Sequence, residues 1–334
     1  MNTTGKLGTV KIMKFNRKSI LVGIGLLIGV SAAIAQAYPN RTITIVVPYP
    51  PGGATDPIAR IFATKLSQAW GVPVIIDNKP GAGTTIGMNH VSQAQPDGYT
   101  VAMGTTSVGT NPALYNKLPY DTAKDFTYLS MAGILQIVAT VNPKLPVKSF
   151  NELIAYAKSN PGKLNYSSAG NGTIPHLAGE FFRAAAGVDV VHVPYKGSAA
   201  AVAAVMTGEA DYTFDTLFTE QPFIKAGRIT ALASAGPTRL ESMPGLPTVG
   251  ETFPGFTAFS WMGFMGPANM PPQLVTKWSE EITRIAKMPD VKERLATSGV
   301  EANGSTPDQF TKFVNAEIAK WKKVVADANI PKIE

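Results

Sequence analysis

Short apolar runs alternate with amphipathic stretches along this chain, and turns rich in glycine and proline separate them. That alternation narrows the fold more than any other feature. Thr42-Ile-Thr-Ile-Val-Val-Pro48 reads as a strand and Pro51-Gly-Gly-Ala-Thr-Asp56 as a turn. Asp56-Pro57 is an N-cap with proline at the first helical position, opening a helix to about Ala69. Val72–Asp77 is a second strand, and Pro80–Gly87 turns into a second helix. Pro96-Asp-Gly-Tyr99 is a turn before the strand Thr100–Gly104. A β-α-β-α-β order implies a parallel sheet with helices on both faces.

The middle of the chain repeats the pattern. Ser149-Phe-Asn-Glu152 is a capping box opening a helix to about Ser159. The strand Leu164–Ser168, a glycine loop and a helix over Pro175–Ala186 follow. Then come a strand over Val188–Val193, a helix over Ser198–Thr207, and strands over Asp211–Phe214 and Ile229–Ala233 with a helix between them. The tail predicts helices over Pro272–Lys287 and from Thr306-Pro-Asp-Gln309 to about Ala328. With 334 residues, the chain exceeds what one hydrophobic core usually serves. The expected architecture is two α/β lobes joined by extended crossings near Val138–Pro143 and Phe253–Phe259, with the last helices returning to the first lobe.

The first 37 residues read as an export leader. Lys6, Lys11, Lys14, Arg17 and Lys18 precede the apolar run Ile20–Val30, and Ser31-Ala-Ala-Ile-Ala-Gln-Ala37 supplies small residues for cleavage before Gln36 or Tyr38. The apolar run is shorter than the ~20 residues a membrane-spanning helix needs. No twin-arginine pair is present, so Sec export to the periplasm is expected. Five of the 30 basic residues lie in this leader, which holds no acid; without it the balance is 25 basic to 23 acidic residues. So near-neutral a chain has no general electrostatic case for binding nucleic acid. Cysteine is absent, which excludes disulfides, thiolate metal sites and a lipid anchor on cysteine.

Parallel α/β sheets place ligands at the carboxyl ends of their strands. Four small-residue loops fall there: Pro51–Asp56, Gly81–Thr85, Gly104–Ser107 and Ser167–Thr173. Such loops let backbone N–H groups and hydroxyls reach an anion, and the helix N-terminus that follows adds partial positive charge. A carboxylate can be held this way without arginine. Gly81-Ala-Gly83 with Gly87 resembles a dinucleotide fingerprint with a stretched last spacing, but no strand ends in an acid at the expected distance and no Walker lysine is present, so no cofactor is expected. His176 and Glu180 are four apart on a helix, yet with three histidines and no cysteine they do not build a catalytic zinc site. A hydrolase built on Ser167 or Ser168, His176 and Asp215 lacks the Gly-x-Ser-x-Gly elbow. Tyr195-Lys196-Gly197 is a pocket loop or a surface turn. Asp215 is a ligand contact or a helix cap. Trp261 is by default a core residue, although with Tyr49 and Phe218 it could instead face a cleft and favour an aromatic acid.

In order, Pro50-Pro-Gly-Gly-Ala-Thr-Asp56, Asp77-Asn-Lys-Pro-Gly-Ala-Gly83, Pro96-Asp-Gly-Tyr-Thr100, Leu164-Asn-Tyr-Ser-Ser-Ala-Gly170, His176-Leu-Ala-Gly-Glu180, His192-Val-Pro-Tyr-Lys-Gly197 and Phe214-Asp215 resemble the substrate-binding proteins of tripartite tricarboxylate transporters, the Bug family. The resemblance covers nearly all of the chain after the leader. It implies an α/β, two-lobed periplasmic binding protein of type II (a Venus flytrap) with its ligand cleft between the lobes and no catalysis. The lobes would comprise residues 38–141 with 256–334, and 142–255. Carried over by position, the first lobe offers Gly52, Gly53, Ala54, Thr55, Thr84 and Thr85. The second offers Ser168, Gly170, Gly172, Thr173, His176, Tyr195 and Asp215. Thr84, where many relatives have glycine, and Thr216, where many have asparagine, depart from the pattern. The implied role is a monomer that delivers a small di- or tricarboxylate, or an aromatic carboxylate, to membrane transporter subunits. A ligand-presenting sensor for a membrane kinase fits the same residues, and an exported hydrolase fits them less well.

Overall fold

The computed structural model describes residues 1–2, 38–51, 55–240, 242–297, 299–327 and 329–333. The leader, with both cleavage positions, lies outside the described residues. The chain divides into Met1–Asn40 and Arg41–Glu334, and the second unit holds the helices and strands described. None of those helices is long and apolar enough to cross a membrane.

The start of the second unit follows the expected alternation. Strand β1 (Ile43–Val47) is buried on both faces and pairs in parallel with β2 (Val74–Asn78) and β3 (Thr100–Thr105). Helix α1 (Thr55–Trp70) and helix α2 (Thr85–Ser92) connect them. Asp56 starts α1, accepts both guanidinium N–H groups of Arg60 at 2.9 and 3.1 Å, and accepts Asn78 Nδ2 at 3.0 Å, which ties the helix start to β2.

Beyond β3 the sheet departs from the parallel expectation. Strand β9 (Phe259–Pro267) lies antiparallel to β3 and to the 16-residue strand β4 (Phe126–Val141), so the sheet is mixed. The reason is topological: β9 carries the chain back from the second half and must run against the strands that led outward. Phe126–Gln136 pairs with β9, and the short β10 (Val300–Ala302) adds to the same stretch. Ile137–Val141 pairs instead with β7 (Tyr212–Thr216), and Val138–Val141 also pairs with β8 (Thr230–Ser234). One continuous strand therefore serves two sheet halves, and the extended crossing near Val138 is its far end. In the second half β5 (Asn165–Ser168) lies between β7 and β6 (Val191–Pro194), both parallel to it.

Each half has its own aromatic core. In the first, Phe62 meets Phe264 at 5.4 Å and Trp70 meets Trp278 at 4.8 Å, both edge to face. In the second, Phe182 packs on Phe150, Tyr212 and Phe214 at 5.4–5.8 Å. The amphipathic helix α11 (Pro307–Asp327) reaches both halves: Phe310 and Val314 enter a separate cluster of the first half with Val46, Trp261 and Met265, while Trp321, Val324 and Val325 enter the core of the second. Helix α9 (Pro272–Ala286) packs on α1, while α11 contributes side chains to the cores of both halves. Under it runs α3 (Ser107–Leu114), which the sequence did not suggest because Gly109 and Pro112 are poor helix formers. Packing overrides that propensity: a Cβ at Gly109 would come 3.1 Å from Glu317 Cβ on α11.

Trp261 is a core residue, wholly buried with Phe310 and Phe313 at 5.5 and 5.6 Å. The expectation that it could face a cleft is thereby corrected. Phe218, from the second half, packs against the core of the first.

Candidate functional site

The carboxyl ends of β1, β2 and β3 gather a chain of hydroxyls. Thr84 Oγ1 donates to Ser107 Oγ at 2.8 Å, Ser107 Oγ is 3.1 Å from Thr105 Oγ1, and Tyr49 OH is 2.8 Å from Thr105 Oγ1. Burial raises the Tyr49 phenol above its ordinary value, and the bonds to Thr105 and Ser107 partly offset it, so the group stays neutral. Asn111, one turn along α3, donates to Gly83 O at 2.9 Å and holds the neighbouring loop. Thr84 itself has φ 81°, a left-handed conformation costly for a β-branched residue. Thr85 Oγ1 donates to Ala82 O at 2.8 Å, so this hydroxyl closes its own turn. Thr55 is buried at the start of α1. Gly52, Gly53 and Ala54 lie outside the described residues.

In the second half the residues expected after β5 do cluster. Ser168 Oγ accepts Gly170 N at 3.2 Å, Thr173 Oγ1 donates to Gly170 O at 2.7 Å, and Gly172 N donates to His176 Nδ1 at 3.1 Å. Gly170 and Gly172 have φ 122° and 78°, which only glycine adopts without strain. Thr173 is the N-cap of helix α5 (Ile174–Ala186) but makes no side-chain cap bond, because its hydroxyl is turned back to Gly170. Tyr195 N donates to Ser168 O at 2.9 Å and Gly197 N to Ala169 O at 3.2 Å, so the Tyr195 loop is stapled to this one rather than being a detached surface turn.

Asp215 stands at the end of β7, fully buried. Its Oδ1 accepts Thr216 N at 2.6 Å, while Oδ2 makes no hydrogen bond of proper geometry. Burial pushes this carboxyl up to about 6, and nearby Ser198 and Thr216 donors lower it only in part. The helix that follows, α7 (Leu217–Lys225), has Thr216 at its N-cap position with no side-chain cap bond, so Asp215 is not its N-cap. Glu220 on α7 is also fully buried, bonded at Oε1 by Thr140 Oγ1 at 2.5 Å. Burial, and then the charge of Asp215, drive its carboxyl well above the ordinary range, so Glu220 is the neutral member of the pair.

The two sets of loops meet at the end of α3. A Cβ at Gly83 would collide with the Tyr115 hydroxyl, and a Cβ at Gly172 would come 3.1 Å from Leu114 Cδ1. Adjacent residues Leu114 and Tyr115 therefore abut one glycine loop from each half. A cavity of about 330 Å³ lies beside His176 and His192, walled by Leu114 and the C-terminal residues Asn329–Ile333. A larger groove of about 680 Å³ runs past Arg41, His90 and Tyr99, away from the strand ends that carry these loops.

His176 and Glu180 do not converge on a metal position: His176 Nδ1 is taken by Gly172, and Glu180 is bonded by Tyr166 at 2.7 Å and Arg183 at 2.6 Å. Among the described residues no cluster of three or more potential ligands could hold a metal ion. Sequence reasoning missed Asn111, Tyr115 and Glu220. It also missed the partnership of Ser168 with His192, whose Nε2 is 2.7 Å from Ser168 Oγ.

A profile of the tripartite tricarboxylate transporter family receptor matches residues 58–330. The chain belongs to that receptor family. BugT of Bordetella pertussis is 32% identical over 319 residues, covering 93% of this chain and 98% of BugT. The structure of R. palustris Rpa4515 with adipate is 34% identical with a TM-score of 0.81, covering 89% of this chain and 100% of that one. MatC from Rhodopseudomonas palustris with bound malate is 31% identical with a TM-score of 0.77, covering 86% and 100%. The two-lobed α/β binding-protein fold expected from the sequence is the one this family receptor has.

Proposed function

We propose that this receptor captures a small aliphatic carboxylate in a cleft between its two halves and delivers it to a tripartite tricarboxylate-type transporter. The observation that carries the reading is the convergence on Leu114 and Tyr115 of two glycine- and hydroxyl-rich loops, one from each half. Thr84, Thr85 and Ser107 on one side, and Ser168, Gly170, Gly172, Thr173 and Tyr195 on the other, supply hydroxyls and amides with no arginine among them. Thr55, buried at the start of α1, lies on the first side. Donors preorganised in a dry cleft bind an anion strongly because little water competes. The neighbours with adipate and malate support a diacid. Burial of Trp261 removes a main argument for an aromatic one.

In this reading residues 38–141 with 256–334 form one lobe and 142–255 the other, and β4 and the approach to β9 are the hinges. The protein works as a periplasmic monomer after Sec export. Ser168 is no nucleophile: it is wholly buried, and its partner His192, pushed down to about 4 by burial and by the charge of His176, is a weak base. A thermal-shift screen of adipate, succinate, malate, citrate and glutamate tests the proposal. A ligand at ~100 times its Kd should stabilise the protein by about 2.7 kcal/mol. X-ray scattering with that ligand should show a smaller radius of gyration. Turnover of the ligand, or binding without compaction, would contradict it.

A further inference from the structure

Two of the chain's three histidines stand face to face behind the second-half loop. The His176 and His192 rings lie 4.2 Å apart and 29° from parallel, and Tyr166 stacks on His192 at 4.8 Å. Each imidazole grips the loop at one end. Gly172 N–H donates to His176 Nδ1 at 3.1 Å, and Ser168 Oγ is 2.7 Å from His192 Nε2. Among the described residues, the loop between those grips is bonded to itself and to the Tyr195 loop.

The grip on Gly172 fixes a protonation state. A ring nitrogen that accepts an amide N–H carries no proton, so His176 is neutral with its hydrogen on Nε2. A further proton can go only to Nδ1, where it would point at the Gly172 hydrogen and expel it. It would also place a cation against the face of His192. Other charged and titratable groups face the pair: Glu180 and Arg183 on α5, Tyr166 on β5, and Lys332 from the C-terminal segment across the cavity. Glu180 would favour a cation, but its oxygens are already engaged by Tyr166 and Arg183.

We propose that the stacked His176–His192 pair is a proton-operated positioning device for the loop Ser168–Thr173: neutral, it holds the loop in its anion-binding shape, and protonation of His176 releases Gly172 and weakens carboxylate binding. The ligand half of this proposal rests on the function proposed above; the link between proton and loop does not. Burial lowers the His176 imidazole from its ordinary value, and it lowers His192 to about 4 with help from the charge of His176. The sign follows. The loop-held state binds fewer protons than the loop-free state, so it is favoured above the ordinary histidine range of about 6.5 and loses that advantage as pH falls through the lowered value of the held His176.

The test is NMR of the ring nitrogens and the Gly172 amide from about pH 7.5 to about 4.5, a window that spans histidine titration. Wild type is compared with His176→Asn, whose side-chain oxygen accepts from Gly172 at every pH. Exposed His90 supplies the only other histidine signal. The Gly172 amide should move in step with protonation of His176 Nδ1, and should stay put in His176→Asn. A Gly172 amide that ignores His176 protonation, or that moves equally in the variant, overturns the device; should the variant not fold, the wild-type titration decides alone. Calorimetry with adipate and with malate adds the ligand arm. Wild-type affinity should fall about tenfold per pH unit at most, and more steeply than in His176→Asn, which shares the diacid's own titration. Equal falls in both proteins overturn the coupling to binding. If neither diacid binds at any pH, the carboxylate reading fails, and the Gly172 titration still upholds or overturns the device.

Discussion

The Gly83 backbone lies so close to the Tyr115 hydroxyl that no side chain fits between them. Gly83 also has φ 58°, so two separate constraints select glycine there. Gly83→Ala should cost about 1–3 kcal/mol of stability from overpacking and left-handed strain. Tyr115→Phe in the same protein should recover part of the loss, because the clash is with the hydroxyl. Denaturant midpoints of the two single variants and the double variant measure it, and strict additivity would show that the contact is unimportant.

The hydroxyl chain makes a binding prediction. Thr84→Val preserves shape but removes the donor to Ser107, and Ser168→Ala removes the bond to His192. Each should weaken ligand binding by about 1–3 kcal/mol, the usual cost of leaving a buried acceptor short of a donor. Arg41→Ala and Arg60→Ala should leave affinity within a few tenths of a kcal/mol. Titration calorimetry on folded variants separates the two sets.

Helix α11 ties the halves through Trp321, whose Nε1 donates to Glu317 Oε2 at 3.0 Å while its rings fill the second core. Trp321→Ala should cost about 3–5 kcal/mol, the range for deleting a buried aromatic. The loss should appear first as hydrogen exchange in the second half, whose core loses the indole.

How far the sequence spoke depends on where the deciding contacts lie. Helix α1 was legible because Asp56 and Pro57 are local signals. Helix α3 was not, since Gly109 and Pro112 argue against a helix and only α11 makes it one. Strand β4 is buried along nearly all of its length, so it lacks the alternation that marks a half-buried strand. At the site, Ser168 and the glycines were readable from their loop. The His192 contact was not: it arises from the parallel register that sets Tyr166 beside His192, a pairing across more than twenty residues of sequence.

Asp215 sets a pH dependence of its own. Its carboxyl is raised to about 6 by burial, so the folded state binds more protons than the unfolded state between the ordinary aspartate range and about pH 6. Stability from this group is therefore present at low pH and lost as pH rises through that window, by about 2–3 kcal/mol in total. Asp215→Asn should raise the Tm at neutral pH, do so less below about pH 4, and flatten the profile between. An unchanged neutral-pH Tm would mean that the carboxylate is compensated in solution.

A crystal structure with the strongest thermal-shift ligand tests the central claim most directly. The ligand's carboxylate should lie within hydrogen-bond distance of donors from both halves, the Thr84–Ser107 hydroxyls on one side and the Ser168–Thr173 loop on the other. A ligand seated in the groove by Arg41 and Tyr99, or held by one half alone, would contradict the account.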